Sequence, residues 1–99
     1  MNEQQTVNLY RAFFVIGDST NLKILQELSS HGERTFSQLR DNLRINPSTL
    51  TKKLRLMMQF ELVASDKTHD HLRVFYSLHK HQRDLEKILE SIERFSQVI

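Results

Sequence analysis

Residues 46–58 read Asn-Pro-Ser-Thr-Leu-Thr-Lys-Lys-Leu-Arg-Leu-Met-Met and have the pattern of a short amphipathic helix. Asn46 is a favoured N-cap residue, and Pro47 suits the first helical position, where a missing N–H costs nothing. The pattern therefore predicts a helix over residues 47–58. Apolar side chains recur along it at spacings of three and four and form one inward stripe, which consists of Leu50, Leu54, Met57 and Met58.

The opposite side of this helix carries hydroxyl groups and cations, without an acid or a large apolar residue. A solvated helix face usually mixes Glu with Lys, so this face indicates an anionic, hydrogen-bonding partner. The major groove of double-stranded DNA presents phosphates and base edges together, and we expect the helix to read bases there. The alternative is a plain amphipathic helix with a wet face. The side chains expected to contact DNA are Ser48, Thr49, Thr51, Lys52 and Arg55.

A second short helix is predicted just before the first. Thr35 and Gln38 have the spacing of a capping box, so this helix begins at Thr35 and runs to about Leu43. Residues 44–46 then form a tight turn. Two short helices joined by three residues, with the basic face on the second, are typical of a helix-turn-helix DNA-binding unit.

Two longer helices are predicted ahead of this unit, over residues 3–16 and 19–31, and Gly17 separates them at a position that suits a helix end. The first of them carries more aromatic surface than one helix of a small domain needs for its core. We therefore expect Phe13 and Phe14 to face a second copy of the chain. The alternative is packing within the domain.

After the helix-turn-helix unit, the apolar pattern changes from a helical period to alternation. Residues 62–65 and 72–78 read as two strands, and the polar residues 66–71 between them read as a hairpin tip. A hairpin directly after a recognition helix is a wing, here residues 66–73. We expect the wing to lie on the DNA backbone or in the minor groove, and its expected contacts are Lys67, His69 and Arg73.

The last helix is predicted over residues 79–97, and its apolar residues follow the spacing of a short heptad seam. A seam of this kind suits packing against a second helix, so we expect helices 3–16 and 79–97 to form the interface of a homodimer. Packing of the last helix on its own domain is the alternative. The expected interface residues are Phe13, Phe14, Leu85, Ile88, Leu89, Ile92 and Phe95.

The chain has 99 residues, a length that suits one domain over residues 1–99, and its net charge is +2. Residues 34–83 hold ten Lys and Arg against four Asp and Glu, while both ends are mildly acidic. A basic centre between acidic ends is typical of a polyanion-binding module with separate association surfaces. The chain has no cysteine and no apolar run near the ~20 residues of a membrane span, so we expect a cytoplasmic, nucleoid-associated protein without a membrane partner.

The chain resembles the winged helix-turn-helix transcription regulators of the ArsR and HxlR kind over roughly residues 17–95. This resemblance implies a mainly α fold with a small β-hairpin wing, in which four helices, two strands and a fifth helix follow one another, and it implies DNA binding as a dimer. The residues that carry it are Gly17-Asp18, the run from Asn21 to Leu28, Thr35 to Leu39, Ile45 to Leu54, Leu62-Val63 and Val74 to Leu78.

Two features depart from the pattern of these families. Glu61 stands where the families usually have a glycine, just before the Leu-Val pair that opens the wing, so we expect this turn to be built differently. The cysteine-containing metal motif of many ArsR regulators and the cysteine of thiol-sensing HxlR regulators are both absent. The resemblance therefore does not imply a sensed ligand, and a small-molecule effector is left open.

Two His-x-His pairs, His69 with His71 and His79 with His81, flank the second predicted strand. Residues two apart can share a metal in an extended stretch but diverge on a helix, and the spaced acid and histidine ligands of a zinc site are missing. We expect no metal and no cofactor, and solvated or phosphate-contacting histidines instead. No glycine-rich phosphate loop or nucleophile motif occurs, so we expect no catalytic residues and no enzyme.

The function that these features predict is a sequence-specific, double-stranded DNA-binding transcriptional regulator that acts as a homodimer. One alternative is a winged helix used for protein contacts within the transcription machinery. Another is a repressor gated by a metal or a small ligand. The acid-free face of residues 48–55 favours DNA, because a protein-binding surface tolerates acids and exposed apolar side chains.

Overall fold

A computed structural model describes residues 1–67, 72–79 and 81–99 of the chain. Within these ranges five helices and a three-stranded antiparallel sheet form the expected winged helix-turn-helix fold. None of the helices in these ranges is long and apolar enough to cross a membrane. The elements are α1 (Glu3–Ile16), α2 (Ser19–His31), β1 (Arg34–Thr35), α3 (Phe36–Leu43), α4 (Pro47–Gln59), β2 (Val63–Asp66), β3 (Phe75–Leu78) and α5 (Gln82–Ser96).

The helix-turn-helix unit consists of α3 and α4, and both helices begin at the predicted capping residues. The Thr35 hydroxyl oxygen accepts from the Gln38 N–H at 3.2 Å, while the Thr35 N–H donates to the Gln38 side-chain oxygen at 2.9 Å. The Asn46 side-chain oxygen accepts from the Ser48 N–H at 2.8 Å. These bonds satisfy backbone donors that the first helical turn leaves open. The recognition helix α4 ends at Gln59, one residue beyond the predicted end.

The apolar stripe of α4 lies in the core, where α4 packs against α2 and β2. Leu50, Leu54 and Met57 are at most 1% exposed, and Met58 is half-buried. Ile45 in the preceding turn is buried beside them. Burial of side chains of this size stabilises a fold by about 1.5–3 kcal/mol each, so the orientation of α4 about its own axis is strongly determined. Its polar face consequently points outward.

The sheet has the order β1-β3-β2, with β3 in the centre. Val63 of β2 lies opposite Leu78 of β3, and the pairing of these strands ends where Asp66 lies opposite Phe75. The prediction that the second strand begins at residue 72 is therefore wrong for its first three residues. They lie beyond the last pair of this ladder, and alternation along the sequence does not reveal where pairing stops.

The turn from α4 into the wing is a Schellman motif, a common helix end in which one residue is left-handed. The Glu61 N–H donates to the Met58 carbonyl at 3.1 Å, and the Leu62 N–H donates to the Met57 carbonyl at 2.9 Å. Glu61 has φ +58°, the conformation that favours glycine. The expectation that Glu61 would change the turn is therefore wrong, because the left-handed conformation is present and a residue with a Cβ adopts it.

The last helix begins at Gln82 and ends at Ser96, so the predicted range of 79–97 was too long. The His81 carbonyl accepts from the Leu85 N–H at 2.9 Å and starts the helix. Leu85 and Leu89 are 2% and 3% exposed and belong to the domain's own core. We therefore remove these two residues from the expected dimer interface. The apolar face of α5 is wide, so one side of it packs in the core and the other side is exposed to solvent.

Candidate nucleic-acid interface

The outward face of α4 presents most of the side chains that the sequence predicts to contact DNA. Ser48, Thr51, Lys52 and Arg55 are exposed, and Thr49 is half-buried. The Thr51 hydroxyl donates to the Pro47 carbonyl at 2.9 Å, which leaves its oxygen as an acceptor on the surface. Since the buried stripe fixes the rotation of the helix, this face is preorganised for a ligand that accepts from cations and hydroxyls.

Lys53, next to Lys52 in the sequence, belongs to the fold. Its ammonium nitrogen lies 3.2 Å from an Asp18 carboxylate oxygen, and both side chains are about two-thirds buried, with 28% and 33% exposed. The pKa of Asp18 is lowered, first by the hydrogen bond from the Asn21 N–H at 2.9 Å and further by Lys53. Lys53 therefore holds α4 against the beginning of α2, and Lys52 and Arg55 remain as the exposed cations of the helix.

Arg44 is a basic residue near this face that the sequence reasoning did not single out. It lies in the turn between α3 and α4, is exposed, and has φ +53° and ψ +48°. Its N–H donates to the Arg40 carbonyl and closes α3. The positive charge in a turn that precedes the recognition helix was the available signal. Arg40 itself forms an ion pair with Asp41 at 2.8 Å, so its charge is compensated.

The wing lies next to α4 because β2 packs against that helix. Lys67 and Arg73 are exposed on the two sides of the hairpin, and the Arg73 guanidinium carbon lies 5.5 Å from the centre of the Phe75 ring. At this distance a guanidinium is attracted to the face of an aromatic ring. The third expected wing contact, His69, lies outside the described residues.

Glu27 of α2 holds three elements of the domain together. Its carboxylate accepts from the Arg34 guanidinium at 3.2 Å and from the Asn42 side-chain amide at 3.2 Å. His31 lies 3.7 Å from the other carboxylate oxygen. Because Arg34 belongs to β1 and Asn42 to α3, Glu27 fixes the sheet and the first helix of the helix-turn-helix unit relative to α2.

The remaining expected interface residues lie on two helix surfaces. Phe13 and Phe14 are 70% and 77% exposed, and Val15 is the one buried residue of α1. On α5, Ile88 and Phe95 are exposed and Ile92 is half-buried. These five side chains form apolar surface that the described part of the chain leaves open to solvent.

Two of the four paired histidines lie outside the description, and the other two lie near the start of α5. His79 and His81 are both exposed. Over the residues that the structure covers, no group of three or more His, Cys, Asp or Glu side chains could hold a metal ion. His69 and His71 lie outside the described residues.

Comparison with known proteins assigns this arrangement to a family. The model of HxlR-like helix-turn-helix proteins matches residues 15–98. The chain is similar in structure to a candidate transcriptional regulator of the MarR family from Enterococcus faecalis V583, with 26% identity, a TM-score of 0.80, and coverage of 99% of this chain and 88% of the other. No curated protein shows significant similarity to the chain.

Two further solved structures share the fold. HlyU from Vibrio cholerae N16961 has 21% identity and a TM-score of 0.78, over 95% of this chain and 97% of that chain. Diamide-treated YodB from B. subtilis has 18% identity and a TM-score of 0.74, over 100% and 95% of the two chains. The family and the fold are those of transcription regulators. The chain belongs to the HxlR-like helix-turn-helix family of DNA-binding transcription regulators.

Proposed function

We propose that residues 1–99 form one sequence-specific regulator that binds double-stranded DNA as a homodimer, with α4 in the major groove and the wing on the backbone or in the minor groove. The observation that carries this proposal is the outward face of α4, which is exposed, basic and free of acids. The buried stripe on its other side holds that face in one orientation. A fixed helix with donors along one side is what base readout requires.

The proposed DNA contacts fall into two groups, those to base edges and those to phosphates. Arg55 and Lys52 carry the donors that suit the O6 and N7 acceptors of guanine. Ser48 and Thr51 lie near the beginning of α4, the part of a recognition helix that approaches base edges and phosphates most closely. Thr49 is half-buried and contributes less surface. Arg44 in the turn adds a cation suited to a phosphate.

The apolar surface on α1 and α5 supports the proposed homodimer. A 14-residue helix that buries one residue in its own domain is only marginally stable alone, so α1 gains from a partner surface. We place Phe13 and Phe14 of one subunit, with Ile88, Ile92 and Phe95, at a two-fold axis. Two recognition helices then meet successive major grooves about 34 Å apart, which gives a longer and more specific site than one helix provides.

A gel-shift titration with the DNA upstream of the protein's own gene tests the proposal. The parent should shift this duplex at concentrations that leave a scrambled duplex free. Arg55→Ala and Lys52→Ala should lose this preference, while Lys23→Ala, which removes an exposed charge from α2, should retain it. Equal binding of all four proteins to both duplexes would contradict readout by α4 and would favour a protein-contact role.

A further inference from the structure

A cavity of about 410 Å³ lies between α1 and the turn that leads from α4 into β2. Known ligand pockets have volumes of about 300–1,000 Å³, so this cavity can hold a small molecule. Its apolar lining comes from Val15 and Ile16 of α1 and from Phe60 and Leu62 of the turn. Val15 is the one buried residue of α1, so the helix makes little contact with the domain and leaves this space beside it.

The polar part of the lining carries a positive charge. Arg11 is the only charged residue among the described residues that line the cavity, and Asn8 and Gln59 line it with amide side chains. The Arg11 guanidinium makes no hydrogen bond or ion pair within the ranges that the structure describes. Asn8 Oδ1 accepts from the Gln4 amide at 3.0 Å, which leaves the N–H groups of the Asn8 amide as donors. This lining therefore suits a ligand with a negative charge.

We infer that this cavity binds a small organic anion, in which a carboxylate is attached to a flat apolar body. The carboxylate pairs with Arg11, whose planar guanidinium can donate two parallel hydrogen bonds to it. The apolar body packs beside Phe60, which is 38% exposed and offers an aromatic ring for stacking. This inference goes beyond the proposed function, which requires no small ligand, and it can be tested without DNA.

A second copy of the chain fits this cavity less well than a small anion. The α1 residues that line it occupy positions 8, 11, 12, 15 and 16, which form one side of the helix. Phe13 and Phe14 point about 130° away from the middle of that side, because successive helical residues are 100° apart. A dimer through Phe13 and Phe14 therefore does not require the side of α1 that lines the cavity. Inorganic phosphate also fits less well, because it would leave the apolar lining without a contact.

A titration followed by two-dimensional NMR tests the inference, with 2-naphthoate as the probe and 2-naphthamide as its neutral counterpart. The parent should bind 2-naphthoate with a Kd of about 1 mM, which is ordinary for a ligand of this size. It should bind 2-naphthamide roughly tenfold more weakly, because the amide cannot form a charged pair with Arg11. The backbone amide signals of Val15, Phe60 and Leu62 should shift, and those of α3 should not.

Three variants locate the site. Arg11→Gln keeps N–H donors but removes the charge, so it should bind 2-naphthoate roughly tenfold more weakly and 2-naphthamide like the parent. Arg83→Gln removes an exposed cation from α5, outside the described lining, and should bind both probes like the parent. Ala12→Leu places a larger side chain at the cavity and should weaken the binding of both probes. Circular dichroism should be the same for all three variants, because each substituted residue is exposed on a helix.

Several results would overturn the inference. One is the absence of NMR shifts at about 10 mM 2-naphthoate, tenfold above the expected Kd. Others are equal affinities of the parent for the two probes, or parental affinity of Arg11→Gln or Ala12→Leu for 2-naphthoate. Shifts centred on Phe13 and Phe14 would also overturn it, because the probe would then occupy the proposed dimer surface. None of these results bears on DNA readout, which Lys52→Ala and Arg55→Ala test separately.

Discussion

The ammonium nitrogen of Lys53 lies 3.2 Å from a carboxylate oxygen of Asp18, and this half-buried ion pair joins the recognition helix to the N-cap of α2. Lys52, one position earlier, is exposed on the face proposed for DNA. Adjacent lysines on a helix point about 100° apart, so one reaches the scaffold and the other reaches solvent. We therefore expect Lys53 to contribute to stability and Lys52 to contribute to DNA binding.

Lys53→Ala and Lys52→Ala should separate stability from DNA affinity. We expect Lys53→Ala to lower the free energy of unfolding by about 0.5–1 kcal/mol, since the ion pair is partly screened by solvent. Lys52→Ala should change it by less than about 0.5 kcal/mol. For DNA affinity we expect the larger effect from Lys52→Ala, which should weaken specific binding by about 1–3 kcal/mol. Urea denaturation and a DNA titration at fixed salt measure both. Equal effects of the two variants on DNA binding would contradict these separate roles of Lys52 and Lys53.

Asp18 should make stability depend on pH at the acid end. Its pKa in the folded protein lies below the ordinary value of 3.8, so the charged form stabilises the fold. The contribution is complete above the ordinary pKa and is lost as the pH falls through the lowered one. Asp18→Asn keeps an N-cap acceptor but removes the charge. The difference in unfolding free energy between parent and Asp18→Asn should therefore shrink as the pH falls from 5 to 2.

Asp18→Ala supplies the control for that measurement. It removes the cap as well as the charge, and it should cost about 1 kcal/mol more than Asp18→Asn at neutral pH. A difference between the parent and Asp18→Asn that stays constant across the acid range would show that the charge of Asp18 does not stabilise the fold, either through the Asn21 N–H or through Lys53.

The wing should contribute to DNA affinity mainly through the charges of its basic side chains. Replacement of Lys67 and Arg73 together by alanine should weaken binding to specific and scrambled duplexes alike. The slope of log affinity against log salt should fall by about one unit for each lost phosphate contact, which gives about two. Titrations between low and physiological salt provide the slope. An unchanged slope would place the wing away from the phosphates.

Glu61 should carry backbone strain that glycine relieves. A residue with a Cβ in the left-handed conformation costs the folded state about 1–2 kcal/mol, and glycine avoids this cost. Glycine also makes the unfolded chain more flexible, which lowers the free energy of unfolding by a smaller amount, about 0.4–1 kcal/mol. Glu61→Gly should therefore be about 0.5–1 kcal/mol more stable than Glu61→Ala. Both variants lack the carboxylate, so any contact that it makes cancels in the comparison. Chemical denaturation decides between this result and equal stability, which would mean that the turn relaxes in the alanine variant.

Adjacent residues of α5 should distinguish association from folding. Ile88 is 41% exposed and lies on the proposed dimer surface, whereas Leu89 is 3% exposed and lies in the core. Ile88→Glu should give folded monomers that bind DNA weakly, and Leu89→Glu should unfold the domain because it buries a charge. Sedimentation and circular dichroism report the two properties. A parent that is monomeric at micromolar concentration and still binds its site tightly would refute the dimer.

The parts of the fold that follow from the sequence are those with local signals. The starts of α3 and α4 were predicted because Thr35, Gln38 and Asn46 form capping bonds within three residues in sequence. The rotation of α4, and with it the candidate base contacts, followed from the period of its apolar residues. Each of these features depends on neighbours along the chain alone.

The parts that were missed depend on contacts that are distant in sequence. The heptad-like spacing of α5 predicted an apolar helix face that includes Ile88 and Leu89. It could not show which of these two side chains lies in the core. Asn21 gave no signal either, although it is 1% exposed and its side-chain amide donates to the Val15 carbonyl at 3.0 Å across the corner between α1 and α2. The pairing of Lys53 with Asp18 likewise joins residues 35 positions apart.

Thr35 belongs to the sheet and to the helix-turn-helix unit at once. Its backbone lies opposite Phe75 in the β1–β3 ladder, and its side chain caps α3. The root of the wing and the helices in front of it consequently cannot shift independently. Under the proposed function, α4 and the wing therefore contact DNA at a fixed separation. This separation becomes a criterion of selection in itself, because a duplex whose shape matches it binds without the cost of deformation.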